Sequence, residues 1–336
     1  MPSGESSHVL VAGGAGFVGQ HLCRRLVRDG YRVDCLDNFC TSDPRHKAAL
    51  EASGIHVIEA DVTAAPDRVY DVIFHLASPA SPIHYRRLSL PTMWANALGT
   101  KRLLELASSS GASFLLASTS EVYGDPLVHP QTEDYWGNVN PIGERACYDE
   151  SKRFAEALTA EHRRVYGVNA RIVRIFNTYG PGMGIGDGRA VPAFVVAALR
   201  GEPIPIQGDG RQTRSFCYVD DLVDGLMLVG MDREADGCVY NLGNPHEVTI
   251  LEVAETIREI SGSTSELEFG EAAPDDPNRR NPDITRVRAA YGWNPSVDLT
   301  TGLRKVVEDI GSRLELEGRP VREGVSGSSG TGAPDA

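Results

Sequence analysis

The sequence predicts an α/β protein, a doubly wound parallel sheet followed by a smaller C-terminal α/β lobe. Three features carry that expectation. Short runs rich in Val, Ile, Leu and Phe alternate with helical patterns through the first half. The first such run feeds a glycine-rich turn, and beyond residue 180 the texture shifts to Gly/Pro clusters and shorter helices. Alternating strand and helix units imply parallel strands joined by right-handed crossovers.

Residues 8–12, 31–36, 55–60, 72–77 and 113–118 are the apolar runs, with the look of strands buried on both faces. Residues 17–28 and 91–110 read as helices between them, the second with Pro91 in its first turn. A further unit follows, a helix over 148–166 and a strand over 170–176. Gly and Pro then cluster in 180–188, ahead of helices predicted at 191–200, 219–231 and 250–261. This predicts a cofactor domain over 1–179 with parts of 210–245, interleaved with a substrate-binding lobe mainly over 180–317. Residues 318–336 are Gly/Ser-rich and poor in apolar side chains, the composition of a disordered tail.

Length and composition narrow the function. At 336 residues with 41 % hydrophobic side chains, the chain can build one or two cores. Acidic residues outnumber basic ones, 46 to 33, for a formal charge of −13, which disfavours nucleic acid and anionic membranes as partners. The apolar stretch at 191–199 is short and carries a proline, well under the ~18 residues of a membrane span. Residues 1–7 show no secretory pattern, and six cysteines lack any Cys-x-x-Cys pair. A cytoplasmic protein with reduced, buried thiols and no metal site is expected.

The first strand runs into Gly13-Gly14-Ala15-Gly16-Phe17-Val18-Gly19, a G-x-x-G-x-x-G turn opening a helix. Glycines there let backbone N–H groups approach a pyrophosphate at the helix's positive end, the Rossmann-type dinucleotide arrangement. Asp37 ends the second strand near the offset at which a carboxylate meets the ribose diol. A carboxylate there repels a 2′-phosphate, which favours NAD over NADP.

Tyr148 and Lys152, spaced i, i+4, share one helix face. An ammonium beside a tyrosine favours the phenolate, which can take a hydroxyl proton while hydride leaves the same carbon. Thr119-Ser120-Glu121 closes the fifth strand, at the carboxyl edge where parallel sheets bind ligands. Thr119 suits a hydrogen bond to a reacting oxygen, and Glu121 suits proton transfer. Arg214 and the pair Arg279-Arg280 lie in predicted loops of the second lobe and are candidates to clamp an anionic substrate.

These residues resemble the extended short-chain dehydrogenases/reductases, and within them the UDP-glucuronate decarboxylases (UDP-xylose synthases). The resemblance runs over about 8–317. It is most specific in Thr119-Ser120-Glu121-Val122-Tyr123-Gly124-Asp125-Pro126, His129-Pro130-Gln131 and Ala146-Cys147-Tyr148-Asp149-Glu150-Ser151-Lys152. It implies NAD-dependent decarboxylation of UDP-glucuronate through a UDP-4-keto intermediate, with release of the 4-keto-pentose as the variant outcome. Tyr148, Lys152, Thr119, Ser120, Glu121 and Arg280 would be catalytic, with Arg280 near the sugar carboxylate. Asn177 and Arg214 would contact UDP. Asn38, Thr41, Asp61, Val62, Leu76, Ser78 and Thr178 would join Asp37 and the glycine turn around the cofactor.

Ser120 argues against the related 4,6-dehydratases, which carry an aspartate there, and the 4-epimerases usually lack the glutamate at 121. A non-catalytic NAD-binding module would have lost the Tyr/Lys pair. The family also implies a homodimer through the helices over 91–110 and 148–166. The chain departs from the family pattern at Ser42, Trp94, Ser108, Ser109 and Asn281.

Overall fold

The computed structural model describes residues 7–233, 239–271 and 279–318. Seven parallel strands form the central sheet, in the order β11-β6-β5-β4-β1-β2-β3. In chain order the first units are β1 (His8–Ala12), α1 (Phe17–Arg28), β2 (Arg32–Asp37), α2 (Arg45–Ala52), β3 (His56–Glu59) and β4 (Val72–His75). Because β4 returns to the far side of β1, the strand order reverses there and opens a crevice beyond the carboxyl ends.

Next come α3 (Pro82–Arg87), α4 (Ser89–Trp94), α5 (Thr100–Ser110), β5 (Ser113–Thr119), α6 (Ala146–Tyr166) and β6 (Ala170–Ile175). The helix expected over 91–110 is thus not continuous. It starts earlier, and a π turn over Ala95–Gly99 interrupts it. Inside that turn Asn96 donates to the Ser78 and Ser151 hydroxyls, at 3.1 and 2.9 Å. The wider turn aims this amide at the site, a use common to π bulges. The helix expected from residue 148 begins two residues sooner, leaving Tyr148 and Lys152 in its first two turns.

The second half contributes β7 (Thr178–Tyr179), α7 (Ala190–Arg200), β8 (Ile204–Gln207), β9 (Thr213–Ser215), β10 (Cys217–Tyr218) and α8 (Val219–Met231). Then follow β11 (Val239–Leu242), β12 (Glu247–Thr249), α9 (Ile250–Ile260), β13 (Leu267–Gly270), β14 (Arg279–Arg280), α10 (Thr285–Tyr291) and α11 (Leu299–Leu316). Strand β11 completes the central sheet, while β12, β9 and β14 make a small sheet over the crevice.

Alternation explains both cores. Val9 and Val11 face a cluster with Leu22, Leu26, Leu222 and Leu226, whereas Leu10 and Ala12 face Leu103, Leu104 and Ala107. Each strand is therefore apolar on both faces, as its sequence predicts. Of the described cysteines, Cys23, Cys35 and Cys217 are buried and unbonded. Cys147 is partly covered and Cys40 is exposed, so the expectation of buried thiols fails at Cys40, in the loop after β2. Cys238 and the tail beyond 318 lie outside the described residues. No metal-binding cluster and no helix able to span a membrane occurs among the described residues.

The lobe is anchored to the sheet by Asp221 in the first turn of α8. Its buried carboxylate accepts the Ser296 hydroxyl and the Val297 N–H, each at 2.9 Å, and its carbonyl accepts the Trp293 indole N–H. Asp221→Ala strips the acceptor from the part-buried Val297 N–H and should cost about 1–3 kcal/mol in urea unfolding. Asp220→Ala next door loses a mostly exposed ion pair to His21 and should cost under about 1 kcal/mol.

Candidate active site

A cavity of ≈ 1230 Å³ fills the crevice at the switch point, bordered by residues of both halves. At one end lies the turn between β1 and α1. Gly13 adopts φ +81°, and a Cβ there would stand 2.6 Å from the Ala77 backbone nitrogen. A Cβ on Gly19 would overlap the Gly13 carbonyl oxygen. No side chain caps α1, and no acidic residue sits in its first turn. The helix's positive end and free N–H groups therefore face the cavity, and they fit a dinucleotide's pyrophosphate.

Gly16, Phe17, Val18, Thr41, Leu76, Ser78 and Thr178 border the same cavity. Asp37, Asn38, Asp61 and Val62 lie outside its lining and cluster at the ends of β2 and β3. The Asp37 carboxylate accepts the N–H groups of Ala15 at 3.0 Å and Phe39 at 2.8 Å, so it braces the glycine turn. Burial pushes its pKa up. Asn38 donates to Asp61 at 2.9 Å.

Tyr148 and Lys152 are both buried on α6. The Tyr148 ring stacks on Tyr85, with centroids 5.1 Å apart and planes 6° from parallel. Thr119 borders the same cavity. Lys152 Nζ donates to the Ala117 carbonyl at 2.8 Å and stands 6.0 Å from the Tyr148 ring centroid.

The sequence reading had the lysine pull the tyrosine's pKa down. Burial dominates both groups. It pushes the Tyr148 phenol well up and brings the Lys152 ammonium down to about 7. Lys152 Nζ donates to a backbone carbonyl, and desolvation is the largest influence on the phenol.

Thr119 ends β5 and caps a short 3-10 turn that Ser120 and Glu121 open, its Oγ1 accepting the Glu121 N–H at 3.2 Å. Two guanidiniums grip Glu121. Arg280 binds both carboxylate oxygens at 2.8 and 2.9 Å, and Arg145 binds Oε2 at 2.6 Å. Burial works against this carboxylate, but the two arginines hold its pKa below the usual range.

The sequence predicts Arg214 and Arg280 in separate loops. They stand instead in register on the paired strands β9 and β14, both buried. Asn177 also borders the cavity, and its carbonyl accepts the Cys217 N–H.

Sequence reasoning missed Arg145, Asp149 and Tyr85. Arg145 precedes Tyr148 by three residues, a spacing that places both on one helix face and was there to be read. The Tyr85 stacking partner comes from another helix, and no local pattern announces it. Asp149 is buried with Oδ1 unpartnered among the described residues, and burial together with the Glu121 charge pushes it up to about 7.

The folded protein thus holds a proton on Asp149 that an unfolded chain releases near pH 4. Its contribution to stability is complete below that pH and is lost as pH rises toward about 7. Relative to Asp149→Asn, the native protein should lose up to about 1.4 kcal/mol per pH unit across that window, read from urea unfolding at several pH values.

Residues 9–243 match the family model described as the NAD dependent epimerase/dehydratase family. The chain is 49 % identical over 308 residues to UDP-glucuronic acid decarboxylase 5 of Arabidopsis thaliana, covering 91 % of this chain and 90 % of that protein. It is 47 % identical over 312 residues to UDP-glucuronic acid decarboxylase 1 of Danio rerio, covering 93 % and 74 %. Among solved structures it is similar to UDP-glucuronic acid 4-epimerase from Bacillus cereus in complex with UDP-glucuronic acid and NAD. That likeness has a TM-score of 0.82 and 27 % identity, over 91 % of this chain and 99 % of the other. With its glycine turn, Tyr/Lys pair and parallel sheet, the chain belongs to the NAD dependent epimerase/dehydratase family.

Proposed function

We infer that this protein is an NAD-dependent UDP-glucuronate decarboxylase. The observation that carries the reading is the grip of Arg280 and Arg145 on Glu121, beside Tyr148 and Thr119. Two guanidiniums against one carboxylate leave one positive charge in a buried site, the complement of a hexuronate carboxylate. Similarity to the decarboxylases of Arabidopsis thaliana and Danio rerio supports the same reaction.

NAD, when bound, supplies the acceptor for the C4 hydrogen and gives it back at the end. Tyr148 takes the C4 hydroxyl proton as its phenolate, the anion being stabilised by the charge of Lys152 one turn along the same helix face. The resulting C4 ketone is β to the carboxylate, so the C5–carboxyl bond breaks and its electron pair moves into an enolate. Carbon dioxide leaves. Arg280 and Arg145 orient the departing carboxylate, the ionised Glu121 holds both guanidiniums in place, and C5 takes its proton from water entering the cavity as carbon dioxide leaves. Tyr148 then returns its proton to the C4 oxygen, giving UDP-xylose. Ser120 is buried beside this chemistry and has no acidic proton to expel a C6 group, which a dehydratase requires.

Incubation with NAD and UDP-glucuronate should release carbon dioxide and a UDP-pentose, identified by mass and NMR. Turnover of UDP-glucose with UDP-glucuronate untouched would overturn the assignment. Tyr148→Phe should lower turnover at least about 10²-fold, in the range lost with a general base. Glu121→Gln should slow carbon dioxide release while the C4 hydrogen is still transferred.

We also propose a homodimer built on α4 and α6. Leu90, Trp94 and Leu98 succeed one another at i, i+4 and i+8, each more than half exposed, and Phe154 on α6 is also exposed. Apolar stripes on adjacent helices support a mate of the same chain. Sedimentation should give the mass of two chains, and Trp94→Glu combined with Phe154→Glu should give one. The free thiols support a reducing cytoplasm.

A further inference from the structure

The segment bearing Arg280 has little of its own to hold it. Strand β14 is two residues long and pairs with β9 along one edge. Its continuation, residues 281–283, is closed on the other side by Gln131, which is wholly buried in the loop after β5.

The Gln131 N–H donates to the Asn281 carbonyl at 2.9 Å, and its carbonyl accepts the Asp283 N–H at 2.9 Å. This single bridge around Pro282 leaves the Asn281 N–H without a backbone acceptor. The Gln131 side chain supplies one, Oε1 accepting that N–H at 2.8 Å, while Nε2 donates to the Val128 carbonyl at 2.8 Å. Asn241 of β11 locks the pair by donating to the carbonyls of Gln131 and Asp283, at 2.9 and 3.1 Å.

A buried carboxamide is costly unless its hydrogen bonds are made, and an apolar side chain would fill the same space. What the amide adds is a fixed position for Asn281, the residue covalently attached to Arg280. Arg280 in turn reaches across to Glu121, with its Nε buried and unpartnered among the described residues.

We propose that Gln131 is a positioning residue for decarboxylation, its side-chain carboxamide setting the Arg280 guanidinium in register with Glu121 and the substrate carboxylate. The inference rests on the decarboxylase reading and deepens it. Tyr148 and Lys152 stand on α6 and do not depend on this strand, so hydrogen transfer at C4 should survive when scission of the C5–carboxyl bond does not. A misplacement of about 1 Å can cost on the order of 10²-fold in rate.

The test compares Gln131→Met, which keeps the shape and loses the amide, with the native enzyme on carboxyl-labelled UDP-glucuronate and NAD. Carbon dioxide release should fall at least tenfold, while absorbance at 340 nm settles higher because oxidised sugar waits for scission. Gln131→Glu retains Oε1 but can donate to the Val128 carbonyl only when protonated, so its rate relative to native should recover as pH is lowered. Adding Gln131→Met to Arg280→Ala should slow the enzyme no further, since one residue acts through the other.

Carbon dioxide release within twofold of native, equal loss of both steps, or multiplying effects with Arg280→Ala would each overturn the proposal. If Gln131→Met gives no soluble protein, Gln131→Asn, one methylene too short to reach Asn281, should show the same signature, and its absence is equally fatal. A native enzyme releasing no carbon dioxide would instead reject the decarboxylase reading itself.

Discussion

The site depends on one electrostatic arrangement, a mostly covered carboxylate held by guanidiniums from two distant parts of the chain. Glu121 sits at the carboxyl edge of the sheet, Arg145 at the start of α6, and Arg280 on a strand of the covering lobe. Buried ion pairs gain little stability overall, because desolvation consumes most of the Coulombic gain. Their value here is geometric. The bidentate contact ties the lobe to the sheet at the one place where the chemistry needs both, and it leaves charge over for a substrate anion.

The rest of the fold serves that junction. Strand order reverses between β1 and β4, so the glycine turn and the Thr119–Glu121 turn open on the same crevice. The π turn carries Asn96 to Ser78 and Ser151, one at the cofactor wall and the other on the helix of the Tyr/Lys pair. Asp221 fastens the first turn of α8, which packs on α1, to the chain ahead of α11.

Much of this was legible in the sequence. Apolar runs located the strands because each is buried on both faces, and the glycine turn and the Tyr148/Lys152 spacing are local patterns with local causes. What escaped was set by tertiary contact. The Tyr85 stack, the pairing of Arg214 with Arg280, and the bridge from Gln131 join residues far apart in the chain. Desolvation escaped too: whether a lysine lowers a tyrosine's pKa depends on burial and on what else the ammonium touches, and neither is written in an i, i+4 spacing.

The two-residue pairing of β14 with β9 has a consequence for how such enzymes can vary. Side chains alternate along a strand, so Arg280 points inward and is buried while Arg279 points out. A slip of one position that brought Arg279 to Glu121 would present the wrong arginine and would break the buried bonds that Gln131 and Asn241 make to residues 281–283. Which of two neighbouring arginines meets the carboxylate is thus decided by register, and the buried Gln131 amide is what sets it.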